Sequence, residues 1–338
     1  MSDALEALEQ QLLGQAARYT EAEVVERSGV TAEEARHLWH LLGFAHAAPN
    51  EIAFTDADVR ALQLTRDLVG LGILGQDQQD GLIRTWGRSF ARLAEWQMAL
   101  LSEVVLAAGL DEKDGILVLG NEVLPRVDEL QSFAWRRHLL SVGARFVAEK
   151  GAAGSSTLAV CFVDIVGYTS RSRTLADSDL VAWLEHFESA VLDIAVDRGC
   201  RIIKNIGDEL LLVADDPHDM AAVALELVRR GADEDDPFPA VRAGVAYGDV
   251  VVRLGDVFGP VVNIAARLTS VARPCTVLVD KGMRAALTGE DPEGSEGESE
   301  GPGPGDSEDS SSSYRLRRLR RVSVKGYNRL HVWALQPR

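Results

Sequence analysis

The apolar residues of this chain change their spacing at about residue 150, and that change governs what it can fold into. Before it, apolar side chains recur every three or four residues over two long stretches, roughly Gln78–Ala108 and Val118–Lys150, which predicts amphipathic helices. Thr31-Ala32-Glu33-Glu34 has the pattern of a capping box opening a helix to Leu42. Thr55-Asp56-Ala57-Asp58 opens another to about Leu71. Gly109 and Gly115 punctuate the gap between the two long helices. The predicted organisation is therefore an all-α domain over residues 1–150 and a small, polar linker over 151–156.

Beyond the linker the pattern alternates. Strand Leu158–Val163 precedes helix Asp177–Arg198, strands Arg201–Ile206 and Leu210–Ala214, helix Pro217–Arg230 and strand Val241–Ala246. Helix Val261–Ala272 and strand Thr276–Val279 follow, with further strand candidates at Arg321–Val324 and Leu330–Leu335. An order of β-α-β-β-α-β predicts an α+β, ferredoxin-like sheet with helices on one face, over 157–338. Residues 290–313 hold nine acids, no base and almost nothing apolar, so composition predicts a disordered acidic insertion there. Arginines 315, 317, 318, 320 and 321 follow it as a basic counterweight.

Charge narrows the function. The net charge of −17 opposes general affinity for nucleic acid, which needs a basic face. Cys161, Cys200 and Cys275 lie in separate apolar stretches without metal spacing, which suits buried thiols in a reducing compartment. The acidic, amphipathic opening residues lack the features of a signal peptide, and no apolar run reaches membrane-spanning length. A cytoplasmic protein without a membrane segment is expected.

Asp164 ends the apolar run Leu158–Val163, and Asp208 lies in the turn of Lys204-Asn205-Ile206-Gly207-Asp208-Glu209-Leu210. If the strands are neighbours, both carboxylates emerge at one rim of the sheet. Two hard oxygen ligands without Cys or His suit Mg²⁺ or Mn²⁺, with substrate phosphates completing the coordination. Lys204, in a strand of isoleucines, either faces solvent or donates to a base-ring acceptor. Asp256 can accept from an exocyclic amine, a combination that matches adenine. Asn263 and Arg267 are spaced i, i+4 on one helix face, the arginine suited to phosphate oxygens and the asparagine to a ribose. Each alone could be an ordinary solvated side chain; together they are hard to explain as packing.

This set resembles the class III nucleotidyl cyclases over about residues 155–287 and 320–336. The resemblance implies that Asp164 and Asp208 bind two metal ions, that Lys204 and Asp256 select adenine, and that Asn263 and Arg267 stabilise the transition state. Lys325, in Val324-Lys325-Gly326, is similar to a terminal-hairpin lysine that helps hold the triphosphate. It also implies a head-to-tail homodimer in which one copy supplies the aspartates and the other the remaining residues. The reaction implied is conversion of ATP to 3′,5′-cyclic AMP and pyrophosphate. Pro274-Cys275 departs from the usual Pro-Gly turn, and the 290–313 insertion is unusually long.

The front half, with the rear, resembles actinobacterial two-part cyclases whose helical front is autoregulatory. Its effector would be a small molecule or protons, the latter acting on His37, His40, His46 or His138. Tyr19–Thr31 also looks like the opening of a MerR-type helix-turn-helix, which offers a DNA-binding regulator as a rival. Residues 1–60 carry eleven acids against Arg18, Arg27, Arg36 and Arg60, and that balance argues against it. A nucleotide-binding sensor without turnover is the other alternative.

Overall fold

The structure, a computed structural model, describes residues 3–72, 75–148, 155–290, 314–319 and 330–338. The chain divides into two compact units, Met1–Gly151 and Ala152–Arg338. Of the expected linker, 151–154 lie outside the described residues, whereas Ser155 and Ser156 already belong to the first strand. The 291–313 part of the acidic segment, the Arg321–Val324 strand candidate and Lys325 also lie outside them.

The front unit consists of α1 (Asp3–Leu13), α2 (Glu21–Ser28), α3 (Ala32–Leu42), α4 (Asp56–Gly70), α5 (Gln76–Ala107), α6 (Glu112–Val118), a π-helical turn (Leu119–Val123) and α7 (Leu124–Ala148). Thr31 caps α3 and Thr55 caps α4, each closing a capping box with the acid three residues on. Between them, Tyr19 and Phe54 form an isolated β-bridge, and Phe54 stacks on Trp39 with ring centroids 4.6 Å apart. Val24, Ala35, Leu38 and Leu62 fill the small core around this pair. The helical run that ends in α7 starts earlier than its periodicity suggests. Asp111 caps α6 by accepting from the Asp114 amide at 2.8 Å. Gly115 is not a break but lies inside α6, where a Cβ would stand 2.5 Å from the Val105 side chain.

The rear unit holds β1 (Ser155–Ile165), α8 (Tyr168–Arg171), α9 (Asp177–Asp197), β2 (Arg201–Ile206), β3 (Glu209–Ala214), α10 (Pro217–Ala232), β4 (Val241–Arg253), β5 (Asp256–Phe258), α11 (Pro260–Val271), β6 (Val277–Val279), α12 (Lys281–Thr288), β7 (Tyr314–Leu319) and β8 (Val332–Pro337). The sheet order is β2-β3-β1-β4-β6-β8-β7, with β5 paired to β4. All pairings are antiparallel except β4 with β6. The expected α+β class and β-α-β-β-α-β order are present in β1-α9-β2-β3-α10-β4.

The strand alternation splits the core in two. Ala159, Cys161, Val163 and Ile165 of β1 point to one face, where they pack with α9, α10 and α12. Leu158, Val160 and Phe162 point to the other, where Ala265 and its neighbours on α11 cover them. The expectation of helices on one face is thus corrected: α11 is apolar along Val261, Val262 and Ile264, and those side chains need the second face of the sheet. Among the described residues, no helix is long and apolar enough to cross a membrane.

Candidate functional site

Asp164 points to the same face as Phe162, one row from the end of β1. Opposite it stand Glu209 on β3 and Arg242 on β4, so three charged residues form one cross-strand row. Arg242 donates to Asp164 Oδ2 from Nε at 2.7 Å and lies 2.6 Å from it at Nη2. Its Nη1 reaches the Ser270 carbonyl in the last turn of α11 at 3.5 Å.

Gly207, with φ of 65°, allows the reversal between β2 and β3. The Asp208 carbonyl then accepts from the Ile165 amide at 3.3 Å, which fixes Asp208 beside Asp164. Crowding acids here has a measurable consequence. Burial, reinforced by the Asp164 charge, raises the Asp208 pKa. Burial, then repulsion by Asp164 and Asp208, pushes Glu209 up to about 7, with Arg242 opposing. Three carboxylates facing one guanidinium form an excess of hard, negative oxygen donors, and these residues fit a divalent cation. Among the described residues no set of three His, Cys, Asp or Glu is arranged to hold a metal alone. Asp164 and Asp208 would supply two ligands, leaving other positions to phosphate and water.

Lys204 reaches its partner through a break in strand register. Ile202 pairs with Leu212, but Lys204 pairs with Leu211, so Ile203 is the extra residue of a bulge. Regular alternation would point Lys204 to the face of α9 and α10. The bulge instead places it with Leu211 on the α11 face, where its Nζ lies 2.5 Å from Asp256 Oδ2. Asp256 opens β5 after a two-residue hairpin, Leu254-Gly255, both at positive φ (54° and 78°). Around this ion pair the surface is apolar: Ile206, Val251, Val252, Leu254 and Phe258 are each 46–56 % exposed.

Helix α11 is anchored by its buried side. The Thr269 hydroxyl lies 3.2 Å from the Phe162 carbonyl and 3.0 Å from that of Ala265. Gly244 of β4 permits the close approach, since a Cβ there would stand 2.3 Å from the Thr269 amide nitrogen. Asn263 and Arg267 are exposed on the opposite side, and their side chains bond to no described residue.

The structure therefore joins Asp164 with Asp208, joins Lys204 with Asp256, and puts Asn263 beside Arg267. Among the described residues, no side-chain bond connects these three sets to one another within one chain. Glu209 and Arg242 escaped the sequence reasoning. Their signals were present, in an acid directly after Asp208 and a single cation in the apolar run Val241–Ala246.

Known proteins match this chain in sequence over much of its length. The adenylate and guanylate cyclase catalytic domain matches residues 152–336. The adenylate cyclase of Glutamicibacter nicotianae is 36% identical over 298 residues, covering 82% of this chain and 74% of that protein. That of Streptomyces coelicolor is 36% identical over 278 residues, covering 81% and 72%. Both alignments are longer than the rear unit and so extend into the helical front. A solved catalytic core of a rhodopsin-guanylyl cyclase with converted specificity, in complex with ATPalphaS, is 18% identical, with a TM-score of 0.45, covering 54% of this chain and 97% of that one. With a catalytic-domain match over more than half its length and relatives aligned across both units, the chain belongs to the class III family of adenylate and guanylate cyclases.

Proposed function

We propose that this protein, an adenylate cyclase, converts ATP to 3′,5′-cyclic AMP and pyrophosphate at a site completed by a second copy of itself. The observation that carries the substrate is the Lys204–Asp256 pair: an ammonium donor and a carboxylate acceptor 2.5 Å apart, placed together by the bulge. A donor for adenine N1 beside an acceptor for the N6 amine suits adenine, whereas guanine presents the reverse polarity at those positions.

The need for a second copy is supported by the separation of the three residue sets and by the exposed apolar rim around Lys204 and Asp256. In a head-to-tail homodimer, that rim is covered and the aspartates of one copy meet Asn263 and Arg267 of the other. Asp164 and Asp208 would hold two Mg²⁺ or Mn²⁺ ions. Bound there, the ions supply charge neutralisation and a lowered pKa for the ribose 3′-hydroxyl. Arg242 orients Asp164 through its two contacts. Asn263 positions the ribose, and Arg267 matches the charge that grows on the phosphoryl oxygens as the 3′-oxygen attacks. Lys325 is assigned to the triphosphate on family resemblance.

The helical front acts as the regulatory domain in this reading. Within it, His37 Nε2 lies 2.9 Å from Asp80 Oδ2 and ties α3 to α5. The effector in this reading is a small molecule or a proton.

Mixing Asp164→Ala and Arg267→Ala chains tests the shared site. Each is expected to be inactive alone, and random mixing should restore about a quarter of native cyclic AMP formation, because half the dimers then carry one intact site of two. Mixed dimers that form yet make no cyclic AMP would refute it. Equal rates from the intact chain and from residues 152–338 would remove the regulatory role of the front.

A further inference from the structure

We infer that Arg242 is a built-in counter-charge that keeps the Asp164–Asp208 rim from holding divalent ions until a nucleotide brings its phosphates. The inference rests on the metal role proposed above for the two aspartates, and it concerns what sets their affinity.

The guanidinium is committed to one oxygen. Nε and Nη2 both lie on Asp164 Oδ2, at 2.7 and 2.6 Å, so two donors of one fork share a single acceptor. A fork spread over both oxygens would orient a carboxylate better. Binding to one oxygen leaves Oδ1 outside the fork while the full positive charge stays beside it. Solvent reaches the pair only in part: the Asp164 side chain is 15% exposed and that of Arg242 34%. Water therefore screens this charge incompletely.

The charge acts on the whole cluster. Asp164 and Asp208 approach closely enough to share a proton, and Glu209 stands beside Asp164 in the strand row. Arg242 opposes the rise in proton affinity of both Asp208 and Glu209, so its field reaches all three acids. It is also held on several sides. Its backbone pairs with Asp164 across the sheet. Its remaining nitrogen, Nη1, faces the Ser270 carbonyl at 3.5 Å, in the last turn of α11, where carbonyl oxygens favour a cation. The guanidinium is thus part of the rim's framework and stays there whatever the carboxylates bind.

Charge balance gives this placement its consequence. Three carboxylates and one guanidinium leave a net charge of about −2 on the row and its turn. Two divalent ions over-neutralise that charge, whereas a nucleoside triphosphate, itself strongly negative, restores the balance. A unit charge one carboxylate away from a divalent ion costs roughly tenfold in affinity even at the dielectric constant of water. Arg242 therefore sets the nucleotide-free affinity low and leaves the phosphates to make up the difference.

Titrating Mn²⁺ into the nucleotide-free, full-length chain, with free Mn²⁺ read by electron paramagnetic resonance, tests this without reference to turnover. Arg242→Gln keeps a donor for Asp164 and removes the charge; it should bind Mn²⁺ at least ~10-fold more tightly than native. Arg242→Lys keeps the charge and loses the fork, and should stay within about threefold of native. A glutamine variant that binds no more tightly than native, or a lysine variant that gains as much, overturns the inference. Should the glutamine variant fail to fold by circular dichroism, the native chain decides. Mn²⁺ bound at micromolar concentration without nucleotide overturns the inference, and binding confined to the millimolar range bears it out. Adding Asp164→Ala to Arg242→Gln separates the two readings, because the gained affinity should then disappear. A gain that survives the loss of Asp164 refutes the metal assignment and the inference with it. No gain from Arg242→Gln, with Mn²⁺ binding still lost in Asp164→Ala, refutes the inference alone.

Discussion

Replacing Glu209 by glutamine should raise the heat resistance of the protein at pH 8 and leave it nearly unchanged at pH 5. Glu209 stands in a row with Asp164 and beside Asp208, and its pKa is raised from 4.5 to about 7 by burial first and by those two charges second. A folded-state pKa above the unfolded one means that the native state binds the proton more tightly. The stability this provides is complete below about pH 4.5 and is lost as the pH rises through 7. Tenfold in proton affinity is worth about 1.4 kcal/mol, so the ceiling is about 3.4 kcal/mol. Glu209 is partly exposed, and solvent screening reduces this to roughly 1–2 kcal/mol. For a unit of 150–250 residues, that is a midpoint shift of about 3–6 °C. Glutamine cannot ionise, so the difference between variant and native should open between pH 5 and pH 8. Differential scanning calorimetry across that range reads it directly. Millimolar Mg²⁺ at pH 8 should narrow the gap by neutralising the same row. A gap of equal size at pH 5 and pH 8 would refute the electrostatic account of this site.

Three further outcomes are expected. Lys204→Ala should lower kcat/KM for ATP by about 10–100-fold, the worth of a charged hydrogen bond, and should change the rate with GTP far less; equal losses with both nucleotides would refute base selection. Asn263→Ala and Arg267→Ala should leave thermal stability within about 0.5 kcal/mol, since both residues are exposed, while kcat falls about 100-fold or more; a matching fall in stability would make them structural. Gly244→Ala should destabilise by about 1–3 kcal/mol or more, because its Cβ would press within 2.3–2.5 Å of the α11 backbone at Thr269 and Ala265; an unchanged calorimetric midpoint would show that the helix can move aside.

Much of the fold could be read from the chain because its signals are local. The capping boxes at Thr31 and Thr55, the apolar run that Asp164 ends and the Gly207-Asp208 turn each act within a few residues. Features that depend on distant partners were hidden. Strand β4 runs on to Arg253 and β5 follows, yet their hairpin holds Leu254 at positive φ where Asn or Gly would have announced the turn. Alternation alone did not decide whether Lys204 faces solvent or the site, since the bulge at Ile203 exists only against β3. Arg242 and Glu209 became site residues only when antiparallel register set them opposite Asp164. The placement of α11 on the second face depends on Gly244, whose missing side chain gives no pattern to read.

The bulge also has a meaning for how substrate choice can change in proteins of this kind. Lys204 faces Asp256 because Ile203 bulges out of the pairing with β3 and leaves Lys204 opposite Leu211. Were Ile203 to pair with Leu211 in regular register, the lysine would fall opposite Leu210 and turn through the sheet to the other side, with every chemical group of the site still present in the sequence. On the proposed role of Lys204, base preference is thus written here in strand register as well as in residue type. A lineage could lose or regain it through changes that flatten or restore the bulge, a route that comparing the site residues alone would overlook.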